Sequence, residues 1–235
     1  MQKYILITGG TKGIGRALVE RFAQEGFHII TCARNEKDLK SLKLAIEQEY
    51  TFSKVLYQAV DLSSEQEVNR FLTFVKGLSV EIEILVNNAG IFLPGKLHEE
   101  SPSALQHMLE INLYSAYYIT KGLLPDMIRR KGGHIFMMCS TASIIPYTNG
   151  GSYCISKFAL YGMTKVLREE LKEHGVRVTA VLPGATLTAS WEGVDLPAER
   201  FMKPEDVAQA MFTAWSLSSQ AVIEELLIRP QLGDI

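Results

Sequence analysis

A strict alternation between short apolar, β-rich runs and longer stretches of helical periodicity constrains this chain more than any other feature. The runs are KYILIT (3–8), FHIITCA (27–33), KVLYQAV (54–60), EILVNN (83–88), HIFMMCS (134–140), VRVTAVL (176–182) and AVIEELLI (221–228). Helical patterns lie between them at 14–25, 36–50, 64–77, 102–130, 152–174 and 204–217. Strands that are apolar along their whole length suit a parallel sheet covered on both faces. Alternation with helices implies βαβ units with right-handed crossovers. The expectation is an α/β fold, a doubly wound parallel sheet with helices on both faces. At 235 residues, 47% of them hydrophobic, the chain can bury one sizeable core, so a single domain over 1–235 is expected. No internal repeat, low-complexity tract or Pro/Ser linker divides it. Folds of this kind bind ligands at the carboxyl ends of their strands, so chemistry is expected just after residues 8, 33, 60, 88, 140 and 182.

The first of these places carries a glycine loop. KYILIT runs into GGTKGIG and then into a helical pattern, with Gly9, Gly13 and Gly15 spaced GxxxGxG. Ile14, Ala17, Leu18 and Phe22 share one face of that helix. Glycines here permit a tight turn and let backbone approach a pyrophosphate at a helix N-terminus, the signature of a Rossmann-type dinucleotide site. No GK[ST] follows at the spacing a P-loop needs. An NAD site would carry an acid at the end of the second strand, to bind the ribose 2′-hydroxyl. Ala33-Arg34 stands there instead. Arg34 can pair with a 2′-phosphate and Lys12 offers a second cation, so the expected cofactor is NADP(H). The alternative is that both are ordinary surface charges. Asp61 and Leu62 end the third strand, where an adenine ring would lie.

Bulk properties close off other classes. A net charge of −2 without a basic block argues against nucleic acid. No apolar run approaches the ~18 residues of a membrane helix. The run in MQKYILITGG is too short for a signal peptide, so a cytoplasmic location is expected. Cys32, Cys139 and Cys154 are odd in number without CxxC spacing and read as reduced core residues. His28, His98, His107, His134 and His174 show no metal-ligand spacing, and no metal is implied. Gly150-Gly151-Ser152-Tyr153-Cys154 almost reads GxSxG, but Cys154 breaks the nucleophile motif.

GSYCISK sets Tyr153 one helical turn before Lys157. Residues i and i+4 share a helix face. A cation beside a phenol favours phenolate, so Lys157 is expected to lower the Tyr153 pKa and make it a proton donor and acceptor near neutral pH. Alone, the pair reads more readily as a half-buried aromatic and a solvated lysine.

Taken jointly, TGGTKGIG (8–15), NNAG (87–90), Asn112, a serine thirteen residues before the tyrosine, YCISK (153–157) and PGATLT (183–188) resemble the single-domain short-chain dehydrogenase/reductase family in order and spacing. The match runs from residue 3 to the end of the chain. The resemblance implies Tyr153 as general acid/base and Lys157 on the nicotinamide ribose. It implies Ser140 on the substrate oxygen and Asn112 holding a water that links Lys157 to solvent. It also implies cofactor contacts from Asn88, Ala89 and Gly90, and from Pro183, Gly184, Thr186 and Thr188 at the nicotinamide end. Ser143 and Ser152 compete with Ser140, which is preferred for its place at a strand end.

Residues 184–203 are expected to form a short substrate lid. Phe92, Leu93, Ile145, Tyr147, Trp191 and Met202 are candidates for an apolar wall. The bacterial sepiapterin-reductase-like and ketoacyl-carrier-protein-reductase-like branches come nearest. The implied function is NADPH-dependent reduction of a small-molecule ketone or aldehyde, with a pterin ketone or 3-oxoacyl thioester as candidates. A homodimer or homotetramer through helices 102–130 and 152–174 is expected from the family. The rival reading is a non-catalytic NADP(H)-binding regulator, which would need the glycine loop but not Tyr153. A sugar-nucleotide epimerase of the longer related family would need a C-terminal substrate domain that is absent here.

Overall fold

The computed structural model of the chain describes residues 2–191, 193 and 195–235. Seven parallel strands, β1 (Tyr4–Thr8), β2 (His28–Ala33), β3 (Val55–Ala59), β4 (Ile82–Asn87), β5 (His134–Met138), β6 (Arg177–Pro183) and β7 (Glu225–Ile228), form one sheet in the order β3-β2-β1-β4-β5-β6-β7. The helices are α1 (Gly13–Gln24), α2 (Glu36–Glu49), α3 (Glu65–Gly77), α4 (Ala104–Leu109), α5 (Ser115–Arg130), α6 (Gly151–Leu171) and α7 (Pro204–Ser216).

Successive strand residues point to opposite faces of a sheet, and this sheet uses both. Ile5, Ile7, Ile84, Val86, Phe136 and Met138 pack with α1, α2 and α7 on one face. Leu6, Leu85, Ile135 and Met137 pack with α3, α5 and α6 on the other. All ten are at most 5% exposed, which is why the strands read as unbroken apolar runs. Strand order reverses between β1 and β4, the crevice where an open α/β sheet takes its ligand.

Two elements differ from expectation. The helix expected over 102–130 is α4 and α5 separated by a π-helical turn, Glu110–Tyr114, in which Ser115 N donates to Glu110 O. The cause is tertiary. Asn112 in this turn is 1% exposed and tied on both sides, its Nδ2 donating to Ile91 O at 3.0 Å and Ser156 Oγ at 2.9 Å, its Oδ1 accepting from Ile91 N at 2.8 Å. The strand expected over 221–228 pairs only at Glu225–Ile228, on the sheet edge beside β6.

Candidate active site

A cavity of about 1080 Å³ opens along the carboxyl ends of the strands. Gly9, Lys12, Gly13, Ile14 and Gly15 line it from the β1–α1 loop. Gly9 and Gly13 adopt φ of 70° and 52°, a region that disfavours side chains. Gly15 is held by space instead, because a Cβ there would overlap the Gly9 carbonyl oxygen. No side chain caps the start of α1, so its first N–H groups are left for another acceptor. Asn88 fastens this loop to the end of β4: its Nδ2 donates to Thr8 O at 2.8 Å and Gly9 O at 3.2 Å, while Thr8 Oγ1 accepts from the Asn88 and Ala89 amides. Thr8 is thus a structural partner of the loop that spacing alone did not single out.

Arg34, Asp61 and Leu62 line the same cavity beyond β2 and β3. Asp61 is held below the usual carboxylate range by the Ser63 amide, with burial opposing, and the Ser63 hydroxyl and Arg34 lower it further. Lys12 Nζ lies 3.7 Å from Asp38 Oδ2, so an acid shares this end of the cavity with the two cations.

At the other end, Ala89 and Gly90 follow β4, Ser140 follows β5 and Tyr153 and Lys157 face in from α6. Pro183, Gly184, Thr186 and Thr188 complete the wall. Thr188 comes so close to the glycine loop that a Cβ on Gly13 would lie 3.0 Å from its methyl. Every residue predicted for catalysis or cofactor binding therefore lines one cavity except Asn112, which lies behind it. Gly90 makes that arrangement possible: a Cβ there would sit 3.2 Å from Asn112 Oδ1 and 3.4 Å from Lys157 Nζ.

Hydrogen-bond accounting separates the three serines. Ser140 Oγ accepts from Ala142 N at 3.1 Å, and its hydroxyl meets the Tyr153 phenol, whose pKa it lowers. Ser143 is fully buried and accepts from Ser140 N at 3.1 Å, so it holds Ser140 in place. The Ser152 hydroxyl is given to Glu100.

The electrostatic expectation for Tyr153 is corrected. Burial raises its pKa to about 12, against a lowering by the Ser140 hydroxyl. Lys157 Nζ donates to Met138 O at 2.8 Å and lies 5.7 Å from the centre of the Tyr153 ring. Burial lowers Lys157 itself to about 8. Desolvation outweighs the pairwise attraction that sequence spacing suggests.

Among the apolar wall candidates, Phe92, Ile145, Tyr147 and Trp191 line the cavity. Phe92 meets Tyr153 edge-on at 4.9 Å between ring centres, and Trp191 meets Phe201 at 5.1 Å. Met202 is instead part of the core and Leu93 faces solvent. Within the expected lid, Glu192 and Val194 lie outside the described residues. No cluster of potential metal ligands and no helix long and apolar enough to cross a membrane occurs among the described residues.

The family model described as short chain dehydrogenase matches residues 3–197. Over its whole length the chain is 32% identical to sepiapterin reductase of Chlorobaculum tepidum, covering 99% of that protein. It superposes with a TM-score of 0.91 on an alcohol dehydrogenase from the archaeon Thermococcus sibiricus complexed with 5-hydroxy-NADP, at 27% identity over 98% of this chain and 97% of the other. L-sorbose reductase from Gluconobacter frateurii, complexed with NADPH and L-sorbose, superposes with a TM-score of 0.89 at 27% identity, covering 97% and 95% of the two chains.

Proposed function

The chain belongs to the short-chain dehydrogenase family, and from that premise we propose that it reduces a ketone or aldehyde, using NADPH, with Tyr153 as general acid. The observation that carries this reading is the convergence of the Ser140 and Tyr153 hydroxyls and Lys157 at one end of a cavity whose other end is a glycine loop.

The residues present fit an NADP(H) molecule. Gly13 and Gly15 give the backbone close approach, and the uncapped start of α1 offers N–H groups to a pyrophosphate. Arg34 and Lys12 would hold the 2′-phosphate, Asp61 and Leu62 the adenine. Asn88, Ala89, Gly90, Pro183, Gly184, Thr186 and Thr188 would line the nicotinamide half, with Lys157 on its ribose. Bound NADPH supplies the hydride.

The chain's own groups manage the oxygen. As the carbonyl carbon is reduced, its oxygen gains negative charge, and two O–H donors aimed at it stabilise the transition state more than the ground state. Ser140 donates its hydroxyl proton as a hydrogen bond, and Tyr153 transfers its phenolic proton to the oxygen. A pKa of about 12 keeps Tyr153 protonated at neutral pH, the form that reduction requires. Lys157, with its proton below pH of about 8, stabilises the tyrosinate left behind. Asn112 would position the water that reprotonates this pair. Residues 184–203 would cover the substrate, which we place among pterin ketones first because of the Chlorobaculum relative, and 3-oxoacyl thioesters second. A cytoplasmic homo-oligomer completes the proposal.

The test is NADPH consumption against sepiapterin, a 3-oxoacyl thioester, vicinal diketones and aromatic aldehydes, with NADH in parallel and Tyr153→Phe as control. Turnover of one class, lost in Tyr153→Phe with NADPH binding retained, supports the reading. Unchanged cellular function in Tyr153→Phe would favour a regulator instead.

A further inference from the structure

Glu100 stands in the loop between β4 and α4, and no motif draws attention to it. This loop is joined to the entry of α6 at three points. Gly95 N donates to Asn149 O at 2.9 Å, and Gly95 forms a parallel bridge with Gly150. The third join is the Glu100 carboxylate, which accepts from Ser152 N at 2.9 Å through Oε1 and at 3.2 Å through Oε2, and also accepts the Ser152 hydroxyl. One of the four N–H groups that a helix start leaves unpaired is thereby satisfied. A negative charge also rests at the positive end of the α6 dipole.

The seat is built for this side chain. A Cβ on Gly151 would overlap Glu100 Oε1, and one on Gly95 would lie 2.7 Å from Glu100 Cγ. Ser152 is 1% exposed, so its end of the bond to Glu100 is buried while the carboxylate is half-buried. Tyr153 follows Ser152 directly. Phe92, from the same loop as Glu100, meets the Tyr153 ring edge-on at 4.9 Å. One carboxylate therefore fastens both the first turn of α6 and the loop segment packed on the phenol.

We propose that Glu100 is a positioning residue for Tyr153: by binding the Ser152 amide and hydroxyl, it locks the first turn of α6 against the loop that carries Phe92. This rests on the reading of Tyr153 as proton donor. Glu100 touches neither substrate nor cofactor in this role. Releasing it lets the phenol drift from the carbonyl oxygen without disturbing the glycine loop, which lies at the other end of the cavity.

The experiment compares wild type, Glu100→Ala, Glu100→Gln, Ser152→Ala and Tyr153→Phe, with sepiapterin and a vicinal diketone as probes. It reads kcat and KM, NADPH affinity by fluorescence, and amide hydrogen exchange at Gly95 and Ser152. Glu100→Ala is expected to lower kcat roughly 10- to 100-fold, the scale of an ångström of misplacement. NADPH affinity should stay within about twofold, because the glycine-loop contacts to the pyrophosphate are untouched, and exchange at both amides should accelerate. Glu100→Gln still accepts from Ser152 N and is expected to keep kcat within about fivefold, losing only the charge–dipole share. Ser152→Ala gives a smaller loss, roughly threefold to tenfold, from one missing hydrogen bond; it keeps the test decisive should Glu100→Ala fold poorly.

Unaltered exchange in Glu100→Ala overturns the proposal whatever the turnover. So does a kcat unchanged in Glu100→Ala while Tyr153→Phe is inactive, an outcome that leaves Tyr153 in its role. Turnover retained in Tyr153→Phe removes the proton-donor reading itself, and the positioning role with it.

Discussion

Lys157 Nζ donates to the Met138 carbonyl oxygen at 2.8 Å rather than to the Tyr153 phenol, although the two side chains stand one helical turn apart on α6. The ammonium is thus anchored to the end of β5. Burial lowers Lys157 to about 8, so this cation is lost as pH rises through that value. Tyr153, raised to about 12 by burial, stays protonated throughout. Reductive kcat/KM should therefore be level below pH of about 7 and fall above about 8, with Lys157 as the controlling group. Lys157→Met should abolish that limb and lower kcat on the order of 10²-fold, the scale of one transition-state electrostatic contact. A descending limb that persists in Lys157→Met would assign it elsewhere.

The cofactor end makes a different prediction. Arg34 lines the cavity while Lys12 is 3.7 Å from Asp38, an exposed pair of small net worth. Arg34→Ala should weaken NADPH binding roughly 10- to 100-fold, the value of a charge-assisted hydrogen bond, and leave NADH binding unchanged. Asp38→Asn should tighten NADPH by a few-fold, since it removes a repulsive carboxylate. Fluorescence titration with both nucleotides reads the difference directly. Equal losses for NADPH and NADH in Arg34→Ala would remove the 2′-phosphate argument.

Much of this is legible in the sequence because the decisive patterns are local. The strands of a doubly covered sheet are apolar at every position, and the glycine loop joins one to its helix within a few residues. What sequence did not disclose depends on burial or on distant partners. The π turn at Glu110–Tyr114 exists because Asn112 is held by Ile91 and Ser156, and no periodicity encodes that. The direction of the Tyr153 shift follows from desolvation, which the i,i+4 spacing to Lys157 does not report. Glu100 meets Ser152 across 52 residues of chain, and it resembles any other loop carboxylate until the glycines around it are seen in space. Met202 was a plausible wall residue by its place in the lid, but its bridge with Thr186 turns it into the core.

Gly15 offers a steric test of the loop. Its φ is ordinary, yet a Cβ would overlap the Gly9 carbonyl oxygen and fall 2.6 Å from Asn88 Nδ2. Neither neighbour can yield easily, because one is backbone and the other bridges two loops. Gly15→Ala should cost about 1–3 kcal/mol of stability by overpacking. It should also weaken NADPH binding more than that destabilisation explains, since the displaced groups line the cavity. Gly26→Ala, where nothing lies within 4 Å but φ is 80°, should lose stability alone. Denaturant melts paired with NADPH titration separate the two, and unchanged binding in Gly15→Ala would count against this loop as the pyrophosphate seat.

Acid stability should depend on His134. This side chain is 0% exposed on β5, stacked on Phe136 at 3.9 Å, with Nε2 at 2.8 Å from Thr179 Oγ1. Thr179 gives its own proton to Ile223 O, so His134 Nε2 must donate and Nδ1 carries the lone pair. That Nδ1 is buried with no hydrogen-bond partner among the described residues. Protonating it would create a charge with no acceptor, and burial followed by Arg177 hold the pKa well below 6.5. The unfolded chain binds this proton below about 6.5 and the folded chain does not. Stability contributed here is therefore complete above that pH and is lost as pH falls below it, by up to about 1.4 kcal/mol per pH unit. His28 is shifted the same way by burial and Lys54, with Glu47 opposing, and adds to the slope. Urea melts at pH 7 and pH 5 on wild type and His134→Gln should show a smaller stability difference in the variant, even if the variant is weaker at both. An identical difference in the two proteins would place the acid sensitivity in other groups.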